Sequence, residues 1–98
     1  MVADVTRHAS KRMRERVGIP KKAVQRTAQL ALDYGYRHSQ TRGKLNEFLN
    51  KVYLQQGTAN NMRVFGDKVY VFCGNTLVTV LQIPQDIARH INRYIKED

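Results

Sequence analysis

The sequence predicts an α+β domain in which N-terminal helices pack on one face of a three-stranded antiparallel β meander, with a C-terminal helix. Three observations lead there. Residues 6–34 and 44–55 carry apolar side chains at helical spacing. Residues 62–83 hold three β-rich runs separated by the glycine-bearing pairs Gly66-Asp67 and Gly74-Asn75, the pattern of tight hairpins. Pro84 then ends the last run, and Ile87, Ile91 and Ile95 restore the helical period. A chain of 98 residues is long enough for one modest core, so residues 1–98 are read as a single domain.

Each element has a local reason. Met1 to Val5 reads as a short extended or frayed segment. Thr6 is a fitting N-cap for a first helix running to about Arg16, and Gly18 suits the left-handed residue that ends it. Pro20 starts a second helix, whose Val24, Ala28, Ala31 and Leu32 form an inward stripe and which stops at Gly35. Tyr36 to Gly43 is polar, has no period, and reads as a loop. Leu45, Phe48, Leu49 and Val52 predict a third helix over 44–55, although Val52-Tyr53-Leu54 also suits the start of a strand. With two-residue turns, Val64 faces Val69, Met62 faces Val71, Val71 faces Val78 and Val69 faces Val80. These make one aliphatic face for the helices to cover. The opposite face then carries a row in which Arg63 stands beside Tyr70 and Tyr70 beside Thr79. The last helix turns Ile87, Ile91 and Ile95, with Ala88 and Tyr94, inward.

Charge is the most informative number. Lys and Arg total 17 against 8 Asp and Glu, a net charge of +9. Arg7, Lys11, Arg12, Arg14, Arg16, Lys21, Lys22 and Arg26 crowd the first quarter of the chain, against only Asp4 and Glu15. Such clustering is the electrostatic footprint of a polyanion binder, because neutralising phosphates releases condensed counterions. No apolar run is long enough to span a bilayer, and no signal-peptide pattern opens the chain. Cys73 is the single cysteine, so an internal disulfide is excluded and a cytoplasmic setting is expected. Cys73 and the three scattered His show no zinc-ligand spacing, and no cofactor is expected.

The acidic residues are dispersed, which argues against paired-carboxylate or two-metal chemistry. Metal-free phosphodiester chemistry fits the residues better. It needs a proton-transfer group, cations for the phosphorane charge and a group to position the phosphate. His8, Arg12 and Arg16 recur at i, i+4, i+8 on one helical stripe, beside the apolar stripe Ala9, Met13 and Val17. In this reading His8 is the general base or acid, Arg12 stabilises developing charge, and Thr79 or Tyr70 positions the phosphate. Arg7, Lys11, Arg14, Arg16, Lys21, Lys22 and Arg63 bind nucleic acid. His38 and His90 are taken as structural or solvent-facing.

The run His8-Ala9, Arg12-Met13, Arg16 and Gly18-Ile19, followed by a helix and a meander ending in Leu77-Val78-Thr79-Val80, resembles a group of small bacterial and phage domains. These open with His-Ala-x-x-Arg-Met-x-x-Arg and look like members of the RelE/barnase/colicin-like ribonuclease group, the BECR fold. The resemblance covers roughly residues 6–32 and 60–83. It implies metal-independent cleavage of RNA, with His8, Arg12 and Arg16 on the helix and Thr79 on the late strand serving the site. Three functions stay open: a toxin-like ribonuclease acting through 2′-hydroxyl attack and paired with an acidic antitoxin, a non-catalytic nucleic-acid-binding module, and a phage-type factor that binds an acidic host protein.

Overall fold

Alternation fails along the central strand, and that failure organises the molecule. Val69, Tyr70, Val71 and Phe72 are buried in succession, which requires both faces of the sheet to be covered. The computed structural model describes residues 2–57 and 59–96, and its secondary structure confirms an α+β chain. The sheet is five-stranded and mixed, larger than a three-stranded meander. Its strands are β1 (Asp4–Val5), β2 (Tyr36–Arg37), β3 (Asn61–Phe65), β4 (Lys68–Cys73) and β5 (Thr76–Gln82), in the spatial order β1-β5-β4-β3-β2. β1 runs parallel to β5, and the other pairings are antiparallel.

The helices divide between the two faces. α1 (Arg7–Arg12), a π-helical turn (Met13–Val17) and α2 (Val24–Tyr34) cover one face. There Ala9, Met13, Val24, Ala28 and Ala31 pack with Tyr70, Phe72, Leu77 and Val80. On the other face Leu45, Leu49 and Val52 of α3 (Gly43–Gln56) pack with Met62, Val64, Val69, Val71 and Ile83. Ile87 and Ile95 of the C-terminal segment join this second cluster. The expectation of helices on one face of the sheet is therefore corrected to helices on both. The C-terminal helix is also shorter than expected: α4 is the single turn Gln85–Ala88, followed by a separate 3-10 turn at Ile91–Tyr94.

The predicted register holds between β3 and β4, where Met62 faces Val71, Arg63 faces Tyr70 and Val64 faces Val69. It fails between β4 and β5. Tyr70 faces Val80, Val71 faces Thr79 and Phe72 faces Leu77, which leaves Val78 as the extra residue of a bulge. An extra residue shifts every later side chain of that strand by one place. Val80 consequently joins Tyr70 under α1 and α2, while Thr79 joins Val71 on the α3 side. The row Arg63–Tyr70–Thr79 does not exist.

The N-terminal segment is ordered by neighbours rather than by its own pattern. Asp4 N–H donates to the Asn75 carbonyl at 2.9 Å and Thr6 N–H to the Leu77 carbonyl at 3.1 Å. Gln29 Oε1 accepts from Ala3 N–H at 2.7 Å, and the Gln25 side-chain amide donates to the Ala3 carbonyl. Thr6 then caps α1 as its sequence position suggests, accepting from Ala9 N–H at 3.0 Å. Gly35 ends α2 for a steric reason, since a Cβ there would lie 2.5 Å from the Ala31 carbonyl oxygen and 2.8 Å from Arg63 Cβ. The close crossing of α2 over β3 requires a residue without a side chain.

Candidate nucleic-acid interface

α1 is capped by Thr6 and buries Ala9, and the π turn buries Met13. The turn closes with Gly18 N–H on the Met13 carbonyl, 3.2 Å away and five residues back, with Gly18 at φ 77°. The wider turn breaks the i, i+4 line on which His8, Arg12 and Arg16 would stack. Arg16 instead reaches the sheet, where its guanidinium Nη1 donates to the Val80 carbonyl at 2.8 Å. Arg12 is held by Glu15, with Nη1 3.2 Å from Oε2. Both arginines are thus engaged within the protein.

A different stripe of the same helix forms an open groove of about 1490 Å³, lined in part by Val5, Ile19 and Pro20. Arg7, Lys11 and Arg14, at i, i+4 and i+7, line it together with Lys21 from the following segment. Glu15 is the single carboxylate among the lining residues, and Arg12 already partners it. Lys11 approaches Glu15 only to 4.0 Å and stays largely exposed, a pairing worth little in water. Thr6 and Ser10 also line the groove; sequence reasoning passed over these hydroxyls because neither belongs to a charged or apolar stripe. Of the seven predicted nucleic-acid contacts, the groove gathers Arg7, Lys11, Arg14 and Lys21. Lys22 is exposed just beyond it, and Arg16 is turned to the sheet.

Arg63 lies elsewhere. It sits on β3 beside the end of α2, half-buried, and donates through Nε to Asn61 Oδ1 at 2.9 Å. Burial, and secondarily the neighbouring Arg37 guanidinium, lowers its pKa from the ordinary value, while Asp33 opposes the effect. It shares a small cleft with Leu32, Asp33, Asn61 and Gly74, away from the basic groove.

The four groups assigned to catalysis do not converge. His8 is exposed on α1 outside the groove-lining set, with no hydrogen-bond or ionic partner among the described residues. Tyr70 is buried in the core beneath α1 and α2, its ring edge-on to Phe65 at 6.2 Å. Burial, with a smaller contribution from Asp67, pushes the Tyr70 phenol up to about 12, so it keeps its proton at neutral pH. Thr79 is buried on the α3 side of the sheet, across the backbone layer from Tyr70. Arg12 is occupied by Glu15.

Among the described residues, no three His, Cys, Asp or Glu side chains gather where a metal ion could sit, and no helix is long and apolar enough to cross a membrane. Compared with known protein families, curated proteins and solved structures, the chain matches none. The functional reading therefore rests on the chain's own residues.

Proposed function

We propose that the chain binds nucleic acid by its phosphate backbone, in the groove formed by α1, the π turn and the segment Gly18–Lys21. The observation that carries this is the convergence of Arg7, Lys11, Arg14 and Lys21 with Glu15 as the only opposing charge on the lining among the described residues. Successive cations about 6 Å apart along a helix can address neighbouring phosphates of one strand. Among the described residues no aromatic side chain lines the groove, which suits the reading of backbone charge and not of base identity.

Salt dependence tests the proposal. Four phosphate contacts give a slope of log affinity against log salt of about −3.6 on duplex (four times about 0.9) and about −2.8 on single strands (four times about 0.7). A flat response refutes the reading. The scattered surroundings of His8, Arg12, Tyr70 and Thr79 favour a binding module over the metal-independent ribonuclease that the resemblance implies. RNA incubated with the protein and EDTA is expected to stay intact. Fragments ending in 2′,3′-cyclic phosphate, absent with His8→Ala, would restore the ribonuclease.

A further inference from the structure

At the corner where β2 passes through the 3-10 turn His38–Gln40 into α3, a circuit of hydrogen bonds begins and ends on one histidine. The Thr41 hydroxyl lies 2.7 Å from the His38 carbonyl oxygen, which can only accept, so the hydroxyl proton is committed there. Thr41 Oγ1 must then accept from Asn46 Nδ2, 3.1 Å away. With that amide oriented, Asn46 Oδ1 accepts from Asn50 Nδ2 at 3.3 Å. Asn50 Oδ1 is left to accept from the His38 ring, 2.7 Å from Nε2. Every direction follows from one buried hydroxyl, and together they set the tautomer: Nε2 carries the proton and Nδ1 presents a lone pair. Among the described residues Nδ1 has no partner.

One aromatic ring lies beside this fixed imidazole, and a second projects to the same side of the sheet. Asn46, Asn50 and Tyr53 share one stripe of α3 at i, i+4 and i+7. The Tyr53 ring centroid is 6.4 Å from that of His38, tilted by 55°, and Tyr53 is 49% exposed. Tyr36 faces Val64 across the β2–β3 pair, and Val64 is buried on the α3 side, so Tyr36 projects to that same side while remaining 45% exposed. Tyr36 and Tyr53 are among the large apolar side chains that stay exposed, and exposed aromatic faces are surfaces on which unpaired bases can stack.

We propose that His38, Tyr53 and Tyr36 form a base-stacking platform for single-stranded nucleic acid, with His38 Nδ1 accepting a hydrogen bond from an amino or imino N–H of a base. This deepens the nucleic-acid reading above and rests on it. The net charge of +9 favours a polyanion over an acid-poor protein partner at these rings. The platform also supplies what the groove lacks. Backbone charge holds duplex and single strand alike, whereas splayed bases stack on exposed rings only when unpaired.

The test uses the full chain with a short single-stranded RNA and with the duplex of the same sequence, titrated by fluorescence anisotropy at one salt concentration. Tyr53→Ala is expected to weaken single-strand binding about 5- to 150-fold and to leave duplex binding unchanged. Tyr53→Phe keeps the stacking surface and should retain the single-strand affinity. Asn50→Leu, which releases the imidazole, should weaken single-strand binding alone, and Lys11→Ala should weaken both. If Tyr53→Ala leaves single-strand affinity intact, or lowers both affinities equally, the platform is overturned and the groove reading stands. If the wild type binds neither probe, both fall. Loss of a concentration-dependent dimer on Tyr53→Ala, with RNA binding unaffected, assigns the rings to protein contact and overturns the platform.

Discussion

Arg16 and Lys11 lie five residues apart on one basic segment, yet their roles separate cleanly, and removing each side chain tests the division. Arg16 Nη1 donates to the Val80 carbonyl at 2.8 Å, tying the π turn to β5. A hydrogen bond from a charged donor contributes about 1.5–3 kcal/mol net when sheltered. The Arg16 side chain is otherwise exposed, so solvent screening reduces this to about 1 kcal/mol. For a chain of this size, Arg16→Ala should lower Tm by about 4–8 °C. Arg16 does not line the groove, so the salt slope of nucleic-acid binding should be unchanged. Lys11→Ala should do the reverse. Its 4.0 Å approach to Glu15 contributes little, so Tm should hold while the duplex slope falls by about 0.9. Thermal unfolding followed by circular dichroism and an anisotropy salt titration read the two effects. A lowered slope with unchanged Tm for Arg16→Ala would refute the assignment of Arg16 to the fold.

Two further changes probe the side of the sheet that α1 and α2 cover. Gly35→Ala places a Cβ 2.5 Å from the Ala31 carbonyl oxygen and 2.8 Å from Arg63 Cβ; the forced separation of α2 from β3 should cost about 1–3 kcal/mol in urea unfolding, and a stabilised variant would deny the close crossing. Tyr70→Phe tests the buried phenol under alkali. Because the folded-state pKa is raised to about 12 by burial, the neutral phenol's stabilising contribution is complete below the unfolded value near 10 and is lost as pH rises through 12. Tyr70→Phe should therefore gain roughly 2–3 kcal/mol on the wild type between those limits, and parallel pH–stability curves would place the hydroxyl in water.

Much of the local structure was legible in the residues. Thr6 and Gly18 bound the first helical segment, and Val24, Ala28, Ala31 and Leu32 are the buried positions of α2. Leu45, Leu49 and Val52 likewise anchor α3, so its strand alternative fails. The bulge was not legible, because Thr-Leu-Val-Thr-Val-Leu alternates equally well on either side of an inserted residue. β1 and β2 escaped notice because two residues carry no period; tertiary hydrogen bonds alone define them. The double coverage of the sheet did leave a trace in Val69-Tyr70-Val71-Phe72, an unbroken apolar run that a half-exposed strand would not need. For the candidate site, sequence named the groove's Arg7, Lys11, Arg14 and Lys21 among its nucleic-acid contacts, but centred the chemistry on the stripe His8, Arg12 and Arg16, which the π turn interrupts. The π turn that redirects Arg16 has no residue signature, and the His38 circuit assembles from Thr41, Asn46 and Asn50, polar residues whose spacing suggests only a solvated helix face.

The parallel pairing of β1 with β5 also sets an order of assembly. The hairpins β3–β4 and β4–β5 close over two-residue turns, whereas β1 reaches β5 only after the whole intervening chain has been brought back. Loop closure over that span is entropically slow, so the central hairpins can form while β1 is still searching. The basic groove begins at Val5 and Thr6, where β1 hands over to α1. Its cations therefore reach their final arrangement only once a long-range contact has formed. A chain paused before that step would carry its positive charge on a loose N-terminal arm, able to meet a polyanion before the groove exists.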